Sequence, residues 1–376
     1  MNRTTFLSKW VLVVLVLFAG SAGLGAVTAL AEEKIQLAIL LDTSNSMDGL
    51  IGQAKTQLWK VVNELARSKR HGVHPKLEVA LFQYGNDGLS EESGYIQLVS
   101  DLTTDLDTIS EKLFQLSTDG GSEYCGEVID RAVDRLSWSK SADVLKVIYI
   151  AGNEPFTQGP VNYVGSTSKA IRRGIIVNTV FCGPFDEGVA TNWKDGAVRA
   201  DGRYMSIDQD EAEVSIPTPY DNDIVSLGNQ LNGTYIGYGG QGEVAKERQA
   251  AQDANAASVG AAAPVERSVA KAQGAYTNSG WDLVDAVKNK AVTLGSLKDD
   301  QLPEQMRKMA PADREQYLQK MSADRARIQA KINDLNEKRR VFLADAAKKN
   351  AQANTLDQAI LTSVKDEATK KGFTIE

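Results

Sequence analysis

Short runs of consecutive apolar residues alternate along this chain with longer segments whose apolar positions recur every three or four residues. Ile35-Gln36-Leu37-Ala38-Ile39-Leu40-Leu41 is apolar on both faces, as a central strand of a parallel sheet should be. Leu50, Ile51, Ala54, Leu58, Val61, Val62 and Leu65 then mark one face of a helix. Strands are predicted at Leu77–Phe82, Tyr95–Val99, Val147–Ile150, Ile175–Phe181 and Tyr204–Ile207. Helices fall between them, one through Leu106, Ile109, Leu113 and Leu116, a second through Val128, Ile129, Ala132, Val133 and Leu136, and a third ending at Arg173-Gly174. Such alternation predicts a doubly wound α/β domain over 33–236, its mostly parallel sheet covered on both faces.

After Gly242 the pattern changes. The stretch 237–279 is Ala-, Gly- and Gln-rich and reads either as a helix interrupted near Gly260 and Pro264 or as a flexible linker. Residues 280–376 show no plausible strand and read as an all-α C-terminal region. A long helix from Pro311 to Ala347 carries Leu318, Met321, Ile328, Ile332, Leu335 and Phe342 at coiled-coil-like spacing, with Arg325 and Arg339 interrupting the stripe. A helical hairpin packed on itself is the expected arrangement, with a last helix from Leu356 to Lys371.

The 376 residues are 42% hydrophobic and 24% charged, an ordinary globular balance that excludes disordered, collagenous and polytopic membrane chains. The first 31 residues change the picture. Arg3 and Lys9 precede an apolar run from Trp10 to Ala19, and Ala29-Leu30-Ala31 has the small-x-small form of a cleavage site. Residues 1–31 therefore read as a signal peptide cleaved after Ala31, giving a periplasmic or secreted protein with no transmembrane span after cleavage; the alternative is an uncleaved membrane anchor over Trp10–Leu30. Loss of those two cations takes the net charge from −7 to −9. An acidic chain is a poor partner for nucleic acid or anionic lipid.

The chemistry-bearing pattern is Asp42-Thr43-Ser44-Asn45-Ser46, at the carboxyl end of the first strand, where open α/β sheets bind ligands. One carboxylate and two hydroxyls are hard oxygen donors suited to Mg²⁺, Mn²⁺ or Ca²⁺. The same residue types also cap helices. With Gly120-Gly121-Ser122 and Val147-Ile148-Tyr149-Ile150-Ala151-Gly152-Asn153-Glu154-Pro155, this segment resembles the three parts of the metal-ion-dependent adhesion site of the von Willebrand factor type A family. The resemblance covers residues 33 to 236. It implies Asp42, Ser44, Ser46 and Ser122 as metal-site residues and a protein or envelope ligand as partner. In this register the family's third-segment aspartate falls on Gly152, so a carboxylate is missing. Asn153, Glu154 and Asp119 are the nearby oxygen donors left to replace it.

In that fold Cys125 and Cys182 both lie on the Asp42 edge, and export favours a disulfide between them, worth about 4 kcal/mol in the chain-entropy model. His71 and His74 form a His-x-x-His pair on the opposite edge, with no third ligand, and read as solvated loop residues. Gly237-Tyr238-Gly239-Gly240-Gln241-Gly242 matches a dinucleotide loop but lacks the following strand and acid. A metal-dependent hydrolase would need a general base, and only Glu123, Glu127 and Glu154 lie near the edge. The expectation is an exported binding protein rather than an enzyme. The alternatives are a structural envelope protein with a metal-free relic site and, behind it, the hydrolase.

Overall fold

A computed structural model describes residues 33–48, 51–207, 216–349 and 355–375; the expected signal peptide lies outside the described residues. The strands are β1 (Lys34–Asp42), β2 (Ser68–Lys69), β3 (Lys76–Tyr84), β4 (Ile96–Thr103), β5 (Leu145–Gly152), β6 (Ile175–Cys182), β7 (Tyr204–Ile207) and β8 (Thr374–Ile375). The helices are α1 (Ile51–Arg67), α2 (Leu106–Gln115), α3 (Cys125–Arg135), α4 (Tyr163–Arg172), α5 (Phe185–Ala190), α6 (Trp193–Arg199) and α7 (Asp221–Asn232). Beyond these come α8 (Gly242–Ser258), α9 (Ala262–Ala272), α10 (Leu283–Lys288), α11 (Glu304–Arg307), α12 (Pro311–Lys349) and α13 (Thr355–Lys370).

Six strands form one sheet in the order β4-β3-β1-β5-β6-β7, parallel throughout except for β4, which runs antiparallel to β3. The order reverses beside β1, which puts the switch-point crevice at the end of β1, next to Asp42. Side-chain alternation divides the core. Ala38 and Leu40 of β1 face Val128, Ile129, Ala132 and Val133 of α3, with Phe156 and Trp193 beyond. Ile35, Leu37 and Leu41 face the other way, toward Trp59, Val62 and Leu65 of α1.

That second face also takes the C-terminal helices. Val265 and Val269 of α9, Ile328 and Ile332 of α12, and Ile360, Val364 and Ala368 of α13 belong to the same core as α1. α12 packs mainly on α7, α9 and α10, and α13 on α1 and β7, so the two do not make the self-packed hairpin expected from the heptad-like stripe. The interrupting arginines explain why. Arg325 is buried against Asp282 (2.6 Å) and Asp285 (2.8 Å), and Arg339 against Glu266 (2.9 Å) and Asp221 (3.0 Å). The stripe faces α7, α9 and α10 instead of α13. The expectation of no strand beyond residue 280 also fails locally, because β8 pairs antiparallel with β2 just after α1.

Candidate functional site

Asp42 is the last residue of a strand buried on both faces, and the chain turns immediately beyond it. The Ser44 N–H donates to Asp42 Oδ1 (2.8 Å), and the Thr43 N–H donates to the Tyr84 carbonyl (2.9 Å). The next residues form a 3₁₀ turn, Asn45–Met47, which brings the Ser44 and Ser46 hydroxyls to 2.7 Å. The Ser46 hydroxyl donates to Asn153 Oδ1 (2.9 Å), joining the loop after β1 to the loop after β5. The loop before α3 is tied in by the Asp119 N–H to the Thr43 carbonyl (3.0 Å), while Asn86 Nδ2 donates to both Thr43 O (3.2 Å) and Ser117 O (2.9 Å). Asp42, Ser44, Ser46 and Asn153 are thus brought together. No hydrogen bond among the described residues links Ser122 to any of them.

The residue of that loop that reaches Asp42 is Glu123. It is 3% exposed and Asp42 is 0% exposed; Asp42 Oδ2 and Glu123 Oε2 are both buried without a hydrogen-bond partner. Gly85, at φ +76°, makes room for the pair: a Cβ there would lie 2.7 Å from both Asp42 Oδ1 and Glu123 Cγ. Burial raises the pKa of both carboxyls. On Glu123 the facing Asp42 adds to the effect of burial, so the metal-free pair holds a proton at neutral pH. Sequence reasoning missed this role because Glu123 follows the matched Gly-Gly-Ser triplet, and only the turn into α3 decides which neighbour points inward.

The strand register explains Gly152. Asp42 pairs with Tyr84 on one side, and Leu41 pairs with Ala151 on the other. The Tyr84 side chain crosses β1 to donate its hydroxyl to the Ala151 carbonyl (2.9 Å). A Cβ on Gly152 would collide with that hydroxyl and lie 3.1 Å from Asp42 Oδ2 and from the Trp193 ring. Tyrosine has taken the space of a third-segment side chain.

The remaining candidates separate. Asp119 is an exposed rim residue, its carboxylate accepting the Gly120 N–H (3.0 Å), and Glu154 is half-buried beside Asp42. His71 contacts Glu33 (2.9 Å) and His74 the Ala66 carbonyl (3.1 Å), both at the opposite edge of the sheet. Gly237 and Gly242 pack backbone against backbone, so their glycines serve a tight turn rather than a phosphate loop. The expected disulfide is absent: Cys125 and Cys182 are free and buried. They share an edge but sit on opposite faces of the sheet, Cys125 in the α3 core and Cys182 in the α1 core. Burial pushes both thiols up. Iodoacetamide is expected to label neither in the folded protein and both in denaturant; a linked pair in non-reducing peptide maps would contradict this.

No family model matches the chain, and no curated protein matches it. Solved structures do. The conserved hypothetical protein BatB from Bacteroides thetaiotaomicron is 17% identical, with 46% of this chain aligned to 90% of that one at a TM-score of 0.36. The SpRpn10 VWA domain is 14% identical, with 48% aligned to 90% at 0.37. Proximal thread matrix protein 1 from the mussel byssus, with a zinc-occupied MIDAS motif, is 12% identical, with 48% aligned to 43% at 0.37. The strand order, with helices packed on both faces of a mostly parallel sheet, is that of a doubly wound α/β fold.

In this α/β domain the donors at the edge are all hard oxygens. No set of three His, Cys, Asp or Glu side chains converges among the described residues, so two carboxylates need the hydroxyls and the amide to complete a shell. The two orphaned carboxylate oxygens, beside a hydroxyl pair at 2.7 Å, fit a divalent cation of the Mg²⁺, Mn²⁺ or Ca²⁺ class and not a soft metal.

Proposed function

We propose that this chain is an exported binding protein, without catalytic activity, whose sheet edge around Asp42 docks a protein or envelope partner. The observation that carries the reading is the make-up of that edge. The loops 43–48, 85–95, 117–123 and 152–159 contain no lysine, arginine or histidine. Asp48, Asp87 and Asp119 stand exposed on the rim, with Glu154 half-buried and Asp42 and Glu123 beneath. A face of one sign steers and selects partners of the other sign, so the complementary surface is basic. Phe185, 51% exposed on α5, packs on Tyr204 and has the Lys194 ammonium 6.0 Å from its ring centroid, so a lysine stands beside the acidic loops there.

Three features support binding over chemistry. Both histidines are at the far edge, both thiols are buried with raised pKa, and the acids facing the crevice have no basic partner in the four loops. A cation, where one binds, would be held by Asp42, Ser44 and Ser46 and would supply a positive centre to a partner's oxygen. Export is supported by the N-terminal segment. No helix among the described residues is long and apolar enough to cross a membrane.

The test is photo-crosslinking of the mature protein in an envelope extract of its source cells, comparing wild type with Asp42→Ala. One crosslinked species is expected to weaken steeply as salt rises and to vanish in Asp42→Ala, with circular dichroism unchanged. Equal crosslinking by both proteins would remove this edge as the docking face.

A further inference from the structure

We propose that Glu123 supplies the second anionic ligand of a divalent-cation site at Asp42, with the Ser44 and Ser46 hydroxyls and Asn153 Oδ1 as its neutral oxygens. The inference deepens the docking reading and rests on its assignment of the Asp42 edge as the working face.

Two buried carboxyls that face each other must be balanced by a basic side chain, a proton or a metal ion. The four loops around them contain no basic side chain. Asp42 Oδ1 accepts the Ser44 N–H, while Asp42 Oδ2 and Glu123 Oε2 are buried with no donor but the proton the two carboxyls can share. The neutral donors are already drawn in. Ser44 and Ser46 are 2.7 Å apart, a separation that lets both oxygens touch one ion, and Ser46 is bonded to Asn153 at 2.9 Å.

The strand after which a third-segment carboxylate would stand cannot provide one. Tyr84 fills the space over Gly152 and is locked by its bond to Ala151. The missing charge is therefore restored from a different loop, by Glu123, with Gly85 clearing the approach. The chain keeps two carboxylates at the site while moving one of them from the β5 end to the start of α3.

The experiment is titration of the mature protein with Mn²⁺ alone, read by calorimetry and by thermal melts. Wild type is expected to bind one Mn²⁺ and melt higher with it. Glu123→Gln is expected to lose at least tenfold in Mn²⁺ affinity while still melting cooperatively without metal, because the neutral amide matches the carboxyl in size. Asp119→Asn, on the rim, is expected to bind within twofold of wild type. Gly152→Asp is expected to melt lower and gain no affinity. Should Glu123→Gln fail to fold, Glu123→Asp takes its place and is expected to show the same tenfold loss from its shorter reach. No Mn²⁺ binding by wild type, or Glu123→Gln binding within twofold of it, overturns the proposal. Loss of crosslinking in Asp42→Ala alongside either result would leave the docking reading standing, whereas intact crosslinking with a Glu123-dependent Mn²⁺ site would do the reverse.

Discussion

A chain ending at Ile236 is expected to aggregate rather than fold as a free α/β domain. The sheet face that holds α1 is closed by residues far beyond that point. Val265, Val269, Ile328, Ile332, Ile360, Val364 and Phe373 are seven buried apolar side chains in the same core. Burying each is worth ~1.5–3 kcal/mol, so together they represent on the order of 10–20 kcal/mol, as much as the ~5–15 kcal/mol by which a whole domain is usually stable. Polar ties run the same way. Asn63 of α1 donates to Glu266 (2.7 Å), and Asp107 of α2 pairs with Arg267 (2.6 Å), both groups almost wholly buried. Cutting at 236 would leave an apolar sheet face open to water. Size-exclusion chromatography and dye binding check this. A monomeric 33–236 fragment with a cooperative melt would show that the C-terminal helices are an appendage instead of part of the core.

Glu367→Gln is expected to stabilise the protein at pH 8 and to leave it unchanged at pH 4. Glu367 lies on the inner face of α13, where its carboxylate accepts the Ser363 hydroxyl (2.8 Å), and burial raises its pKa to about 7. Lys370 and Arg203 draw the value down and form no ion pair with it among the described residues; Asp366, on the outer side, takes Arg203. From Asn178 of β6, Oδ1 accepts the Ser363 hydroxyl (3.2 Å), and the buried Tyr149 hydroxyl lies nearby.

The unfolded carboxyl titrates near its ordinary value of 4.5, so between there and about 7 the folded state holds a proton that the unfolded state has lost. Stability from this group is therefore fully present below the unfolded value, falls as pH rises through that window and is flat above it. The difference is on the order of 3 kcal/mol at 1.4 kcal/mol per unit, and the neutral amide avoids it. Denaturant melts of both proteins from pH 4 to pH 8 measure it. Parallel curves would show that water or a rearranged α13 solvates the carboxylate.

Both results bear on how the chain could be read. The core strands were legible because each is a compact apolar run: 35–41 lies inside β1, 147–150 inside β5, and 204–207 is β7. Asp42 was legible as well, since a polar residue closing such a run must lie at the sheet's carboxyl end, where chain turns gather ligands. The helical character of 311–347 and the last helix followed from the same periodicity.

Periodicity gives a helix its apolar face but not its partner. The stripe of α12 is compatible with a hairpin or with a domain surface, and Arg325 and Arg339 decide it only through acids that lie 40 to 118 residues away in sequence. The strand–helix order likewise places Cys125, at the start of α3, and Cys182, at the end of β6, on one edge, while only the sheet between them shows that they cannot meet. At the site itself the sequence determined Asp42, Ser44 and Ser46, whose positions follow from one short turn after one strand. The tertiary structure decided the rest. Glu123 rather than Ser122 turns inward because Gly85 leaves a hollow there, and Gly152 stays a glycine because a tyrosine two strands away reaches over it.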